Sequence, residues 1–563
     1  MSSKKNGEEA SDFLTKLVKE DVENSVYSRP VATRFPPEPN GYLHIGSAYA
    51  IHINHSIARK FNGTFNLRFD DTNPLKEDAK YVEAIREDME WLGIKPPVYF
   101  GSDYSEQYYE AAVKLIRKGK AYVCDLTPEQ MTEYRGTLTE PGKDSPFRNR
   151  SAQENLDLFA QMKTGNFPSS SKVLRAKIDM SAPNINLRDP VLYRIIHAEH
   201  YRTGNEWCIY PMYDFAHPIQ DSIEGITHSL CSAEFIDHRS LYDWVLSELE
   251  VVGPPKQREF GRLNISGFVT SKRYLRELVE RGYVDGWDDP RLPTLKGLRR
   301  RGVTPEGIQN FLEEIGVFRQ NSMVDSAMLE HFIRQDLKEK AISVMAVLEP
   351  LKVIITNYPD LETEMLELKN NENNETLGSR EVPFSRELYI EKEDFMEEPV
   401  AGFLRLSLGV EVRLKGAYFL KCEHVVKDPL TGKVKELYCT YDPETKSGSG
   451  FNARKVKSTI HWVSAKHGIP AQIHLYDKLL KEEAVILESD NDWDKIVNPD
   501  SRIEMKQAIL EPYLQDASFG VTYQFIRHGY FCLDTKHSSA SEWVFNRSVS
   551  LKDSWKKTLT PVK

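Results

Sequence analysis

Apolar positions fall at helical spacing three times in the first hundred residues. Phe13, Leu14, Leu17 and Val18 share a face, with Ser11 as the expected N-cap. Ile51, Ile53, Ile57 and Ala58 mark a second helix that starts at His44, and Val82, Ile85, Met89 and Leu92 mark a third between Tyr81 and Leu92. Between them lie β-forming runs. One covers Val31 to Phe35; the other, Gly63 to Thr72, closes on Asp70-Asp71. Strand, helix, strand, helix is the first half of a doubly wound α/β fold, which binds ligands at the C-terminal ends of its strands.

The pattern changes near residue 101. Helices are expected over Glu106–Lys118 and from Thr127, where Thr127-Pro128-Glu129-Gln130 is a capping-box start, followed by a loop-rich stretch from Gly136 to Arg150. Lys172 to Asp179 alternates apolar and charged residues, as an exposed strand does, and a buried strand is expected from Cys208 to Phe215. A helix from about His217, with Ile219, Ile223 and Ile226 on one side, then resumes the nucleotide fold. Further on, Arg273–Arg281, Thr304–Ile315 and Ser326–Lys338 read as helices. Beyond about 340, short β runs (Val410–Leu414, Lys433–Tyr441, Ser458–Val463) predict one or two barrels or sandwiches, with Lys369–Glu375 as a surface loop. The predicted divisions are 1–28, 29–100, 101–210, 211–260, 261–340 and 341–563.

Composition narrows the picture. At 563 residues and 40% hydrophobic content the chain is multidomain, and a net charge of −10 excludes a wholly basic protein while leaving room for local basic grooves. Leu298-Arg299-Arg300-Arg301-Gly302 is one such cluster, though a charge run of this kind is usually a solvated face. The six cysteines form no C-x-x-C pair and read as reduced thiols, with no zinc motif. No apolar run is long enough to span a membrane, and Met1 to Phe13 lacks the apolar core of a secretory signal.

The candidate chemistry sits at Arg34-Phe35-Pro36-Pro37-Glu38-Pro39-Asn40-Gly41-Tyr42-Leu43-His44-Ile45-Gly46, a strand end, a stiff turn and a helix start. Free N–H groups and the helix dipole favour an anion there, so a phosphate is the expected occupant. Val269-Thr270-Ser271-Lys272-Arg273 follows some 225 residues after His44-Ile45-Gly46. With Leu67–Pro74, Leu187–Arg194, Tyr210–Phe215 and Glu224–Cys231, this pair resembles the paired signature motifs of class I aminoacyl-tRNA synthetases. Within them the resemblance is to the glutamyl/glutaminyl subfamily, and in it to the glutaminyl-tRNA synthetases, from about Ser11 to Lys563.

The resemblance implies a Rossmann-like α/β catalytic domain with a parallel sheet, an inserted acceptor-stem domain, a helical subdomain and two C-terminal anticodon-binding β-barrels. It implies ATP-dependent attachment of L-glutamine to tRNA(Gln) through an adenylate, with His44 and Lys272 catalytic. ATP would be contacted by Glu38, Pro39, Asn40, His44, Ile45, Gly46, Ser47, Ala48, Tyr49 and Ala50, and by Ser232, Arg262, Leu263, Thr270, Ser271 and Lys272. Glutamine would be bound by Arg34, Asp70, Tyr213, Cys231 and Gln257. The tRNA would be read at the acceptor stem by Asp237 and at the anticodon by Arg405, Arg413, Gln524 and Arg527. A magnesium ion is expected with ATP, and the protein is expected to be a cytoplasmic monomer. Ser47 stands where the family commonly has a second histidine and Thr270 where it has methionine; the serine predicts weaker or rearranged phosphate stabilisation. Two rivals remain at this point: a glutamyl-tRNA synthetase of the same architecture, and a non-catalytic tRNA-binding paralogue, motivated only by Ser47.

Overall fold

The computed structural model describes residues 12–481 and 491–552, which divide into two compact units, Met1–Asn264 with Leu312–Val324, and Ile265–Phe311 with Asp325–Lys563. In the first, α1 (Phe13–Glu23), β1 (Ala32–Phe35), α2 (Ile45–Lys60), β2 (Thr64–Phe69), α3 (Ala79–Trp91) and β3 (Val98–Phe100) alternate. Next come α4 (Ser105–Arg117), β4 (Ala121–Cys124), α5 (Pro128–Arg135), α6 (Ala152–Lys163), β5 (Val173–Ala176), β6 (Val191–Ile195) and β7 (Ile209–Pro211). The unit continues with α7 (Tyr213–Ile223), β8 (His228–Ser232), α8 (Arg239–Glu248) and β9 (Lys256–Phe260).

β1, β2 and β3 are parallel, as are β8 and β9, and Thr227 ties the two sets: its N–H donates to Ala32 O (3.0 Å) and its Oγ1 accepts from Ala32 N (2.8 Å). This is the expected doubly wound sheet. Gly63 is required just before β2, because a Cβ there would sit 2.0 Å from Val31 O. Caps fix the helix starts. Asp12 accepts from Thr15 N (3.0 Å) to begin α1, a place the sequence assigned to Ser11, which lies outside the described residues; Thr127 and Gln130 form the expected capping box on α5.

β4 to β7 form an antiparallel four-stranded sheet, packed by Tyr108, Leu115, Phe159, Tyr193 and Phe215. Two expectations change here. β5 is buried at every position, because Arg175 points inward and donates through Nε to Asp189 O (2.6 Å), so its alternation does not mark an exposed strand. The run from Cys208 yields only β7, which completes the inserted sheet by pairing with β6, and the chain turns into α7 at Tyr213, four residues before the predicted start.

The second unit begins with α9 (Lys272–Glu280), α10 (Leu295–Arg300), the first part of α11 (Pro305–Ile315) and α12 (Ser326–Lys340); α9, α11 and α12 lie close to their expected bounds, and α10 was not expected. Two seven-stranded sheets follow. The chain enters one at Ile342–Val347, leaves it for the other from Pro350 to Ser464, and returns from Ile469 to Val549. In each sheet the two edge strands are consecutive in sequence, so each sheet rolls into a barrel-like form. Phe384, Leu437 and Trp462 fill one core; Ile473, Phe525 and Phe545 fill the other. Ser458–Val463 is not one strand: Thr459–Ile460 and Val463–Ser464 pair with different neighbours, and the buried His461 and Trp462 lie between. Lys369–Glu375 is not simply a surface loop either. Asn371 is buried and its Nδ2 donates to Lys338 O (3.0 Å) and Ala341 O (2.8 Å), satisfying carbonyls at the end of α12. No helix among the described residues is long and apolar enough to cross a membrane.

The arginine run at 299–301 is neither a solvated face nor a groove. Arg300 is buried and pairs with Asp534, Nε to Oδ2 at 3.0 Å and Nη2 to Oδ1 at 3.1 Å. Replacing Arg300 by Met strands a buried carboxylate and is expected to cost about 3–5 kcal/mol; a urea midpoint unchanged from wild type contradicts this pairing as a stabilising contact.

Candidate active site and nucleic-acid interface

The turn after β1 is tied to the strand beside it, since Asp70 N donates to Pro37 O and Asp78 N to Pro39 O, both at 3.1 Å. Glu38 is exposed and holds Asn40 through the Asn40 side chain. His44 is the N-cap of α2. Its Nδ1 accepts from Gly46 N (3.1 Å), while its own N–H donates to Ser47 Oγ (3.4 Å), closing a capping box. This assigns the proton to Nε2 and makes that edge of the ring a donor. Gly46 is required: a Cβ would meet the His44 ring at 2.9 Å and lie 3.8 Å from Leu263 O. Ser47 therefore has a structural task, completing the box that orients His44.

The other ATP candidates divide. Ile45, Ala48 and Tyr49 are core residues, with Tyr49 OH accepting from Phe318 N (2.8 Å), so only their backbone is available to a nucleotide. The Leu263 side chain is buried beside them, whereas Ala50 is half-buried. Ser232 and Arg262 converge on Glu234, at 2.8 Å and 3.1 Å. Thr270, Ser271 and Lys272 belong to the second unit. There Ser271 stands at the N-cap position of α9 and Lys272 is the first helical residue, so the lysine stands on a helix start.

The amino-acid candidates surround a buried charge network. Arg34 is fully buried; it donates through Nε to Asp221 (2.9 Å), Nη1 to Leu230 O (2.9 Å) and Nη2 to Ser229 Oγ (2.8 Å), with His217 Nε2 at 2.6 Å. Arg68, equally buried, pairs with Asp221 (2.6 Å) and Glu224 (2.8 Å). Burial opposes ionisation of Asp221, but Arg34 and Arg68 overcome it and hold its carboxyl well below the usual range. Burial, reinforced by the two guanidiniums and opposed by Asp221, pulls His217 down to about 3, so the ring is neutral. Asp70 has the opposite fate. Its Oδ2 is buried without a hydrogen-bond partner, and desolvation outweighs Arg68 and Arg34, raising its carboxyl well above the ordinary value. Tyr213 opens α7 instead of ending a strand, and its ring stacks on His217 at 4.8 Å. Cys231 has its thiol pushed up to about 12 by burial, and Gln257 Nε2 donates to Phe235 O and Glu259 Oε1, both at 3.0 Å.

The sequence reading missed His217, Asp221, Arg68 and Glu224. A signal was present: Tyr213, His217 and Asp221 recur every four residues along α7, a polar stripe beside the isoleucines.

On the nucleic-acid side, Asp237 is exposed, and its carbonyl accepts from Asn184 Nδ2 of the inserted domain (2.7 Å). Leu138, 81% exposed, sits in a loop that Arg188 braces by donating to the carbonyls of Arg135, Thr137 and Glu140. Arg413, Gln524 and Arg527 line one cavity of about 620 Å³ within the barrel pair, with His461 and Lys415. Arg405 is not in its lining and pairs with Glu393 (3.0 Å). Among the described residues two groups of metal-ligating type occur, Glu391–His461–His528 and His474–Asp534–His537; in the second, Arg300 already occupies the carboxylate.

The fold and these sites define a class. The chain belongs to the class I tRNA synthetases (E and Q): the model of their catalytic domain matches residues 30–339, and two models of their anticodon-binding domain match 343–442 and 459–534. It is 57% identical over 552 residues to the curated protein named glutamine--tRNA ligase of Clostridium perfringens, covering 98% of this chain and 99% of that one. The proteins of the same name from Clostridioides difficile and Escherichia coli are 56% and 52% identical, each covering 97% of this chain and 98% of its own.

His217 and His228 both stay neutral in the folded chain, at about 3 and 4, against an ordinary 6.5. The unfolded chain binds those protons first as pH falls, so stability is present above 6.5 and is lost between there and 4, by up to about 1.4 kcal/mol per pH unit per histidine. Urea unfolding at pH 7.5 and 5 checks the sign; equal stabilities contradict it.

Proposed function

We propose that this chain joins L-glutamine to tRNA(Gln) in two steps. The glutamine carboxylate attacks the α-phosphate of ATP to give glutaminyl-adenylate and diphosphate; a terminal-adenosine hydroxyl then takes the glutaminyl group and AMP leaves. The observation that carries the reading is the buried, unpartnered Asp70 Oδ2. A carboxylate so placed is costly unless a cation meets it, and a substrate α-ammonium supplies that cation and restores the charged form.

The phosphates sit at the start of α2, where the positive end of the helix dipole and His44 Nε2–H stabilise charge as it develops, and Lys272 adds a point charge. Tyr213 and His217 face the amino acid. The pocket favours a neutral amide over the glutamate carboxylate because Arg34, buried among the amino-acid candidates, is already neutralised by Asp221. Magnesium enters with ATP: the groups at the helix start are N–H donors, which do not hold a cation, so phosphate oxygens and water would carry it. Asp237 reads the end of the acceptor stem, and Arg413, Gln524 and Arg527 receive unstacked anticodon bases. The proposal extends to a monomer in the cytoplasm, and the unpaired thiols support the compartment.

The test is tRNA charging with labelled glutamine and glutamate, by wild type and Lys272→Ala. Glutamine alone is expected to be charged, and the variant to be slower by roughly 10²-fold or more. Preferential charging with glutamate, or no charging by a folded protein that still binds tRNA, contradicts the proposal.

A further inference from the structure

Two carboxylates of one barrel hold a turn of the other. Asp394 lies in the short turn after the strand Glu387–Glu391 and is fully buried. It accepts from Arg527 twice, Nη1 to Oδ2 at 2.6 Å and Nη2 to Oδ1 at 2.8 Å, and Arg405 reaches the same carboxylate at 3.1 Å. Three residues earlier, Glu391 accepts from the backbone of Leu348 (2.6 Å) and Glu349 (3.0 Å) and from His528 Nε2 (2.8 Å). Arg527 and His528 lie between the strands Thr522–Phe525 and Gly529–Leu533 of the other barrel. The partners are therefore consecutive residues of one turn.

Arg527 has a φ of +73°, a region that costs a residue with a Cβ about 1 kcal/mol or more. A glycine would adopt it freely, so the position is held for its side chain. The bidentate pair with Asp394 offsets the strain and fixes the guanidinium plane. A metal-site reading of Glu391, His461 and His528 fares worse. His461 Nδ1 lies 3.5 Å from Arg527 Nη1 and so faces a donor, which leaves the proton on Nε2, the edge turned towards Glu391 at 3.4 Å.

We propose that Asp394 is a positioning residue for base recognition: it holds the Arg527 guanidinium in the cavity wall, so that anticodon specificity depends on a carboxylate that touches no RNA. This rests on reading the cavity as the anticodon site. A binding surface of flexible cations would attract any strand, whereas a guanidinium fixed in plane, its Nη2 also held by Glu393 (3.2 Å), presents its charge and its flat face in one geometry.

The experiment compares wild type, Asp394→Asn, Arg527→Ala and the double variant in charging cognate tRNA and a transcript with a substituted anticodon, with the thermal midpoint of each. D394N and R527A are each expected to lower kcat/KM for cognate tRNA by about tenfold or more through KM, and to shrink discrimination between the two tRNAs. The double variant is expected to be no worse than R527A alone. If R527A loses discrimination and D394N keeps it, the inference is overturned while the cavity reading stands. If R527A itself keeps it, the cavity reading falls and takes the inference with it. Should D394N not fold, Asp394→Glu displaces the same charge by a methylene; it is expected to discriminate less well than wild type, and equality overturns the proposal.

Discussion

Asp221 lies between Arg34 and Arg68 with all three side chains out of solvent, and this arrangement ties β1, β2 and α7 together at their buried faces. Two guanidiniums next to one another are tolerable only with a carboxylate between them, and a dry carboxylate only with such partners. Once the three are locked, the geometry around them follows. Arg34 pins β1 to β8 through Leu230 O and Ser229, Arg68 anchors Glu224 at the end of α7, and His217 is kept neutral against its stacked partner Tyr213. Asp70 is left as the carboxylate whose partner must come from outside. The network thus links sheet, helix and substrate charge in one electrostatic balance.

The start of α2 solves a smaller problem of the same kind. A helix end leaves donors unsatisfied, and a phosphate site needs them so. His44 and Ser47 satisfy two of them reciprocally, and in doing so make imidazole Nε2 the protonated nitrogen. The serine that departs from the family's usual histidine has a task of its own here: its hydroxyl accepts from His44 N–H. It gives no support to a non-catalytic paralogue.

Much of the fold was legible in the sequence where apolar spacing is clean. The alternation of α2, α3 and α4 with β1 and β2, the helices α9, α11 and α12, and the barrel strands Glu411–Leu414 and Val434–Asp442 lie close to their expected bounds. The failures share one physical cause: polar side chains that point inward. Arg175 makes β5 look like an exposed strand, Arg300 makes α10 look like a basic patch, and Asn371 makes a buried tie look like a loop. Each is satisfied by partners 14 to 234 residues away or by distant carbonyls, which no local pattern reveals. The same blindness hid His217, Asp221 and Arg68. Motif resemblance, in contrast, singled out Arg34, Asp70 and Tyr213, which the structure gathers around Asp221 and His217, because it carries positions and not partners. It did not show that Arg34 is spent on Asp221, nor that Tyr49 and Ala48 face the core.

The account stands or falls on Asp70 as the receptor for the substrate ammonium, held in wait by the buried pairs beside it. The most direct measurement is calorimetric binding, in the presence of tRNA, of glutamine and of glutaramic acid, which lacks only the α-amino group, to wild type and to Asp70→Asn. The wild type is expected to prefer glutamine by about 10²-fold or more, and the variant to bind the two within a few-fold of each other. A variant that keeps the full preference would contradict the account.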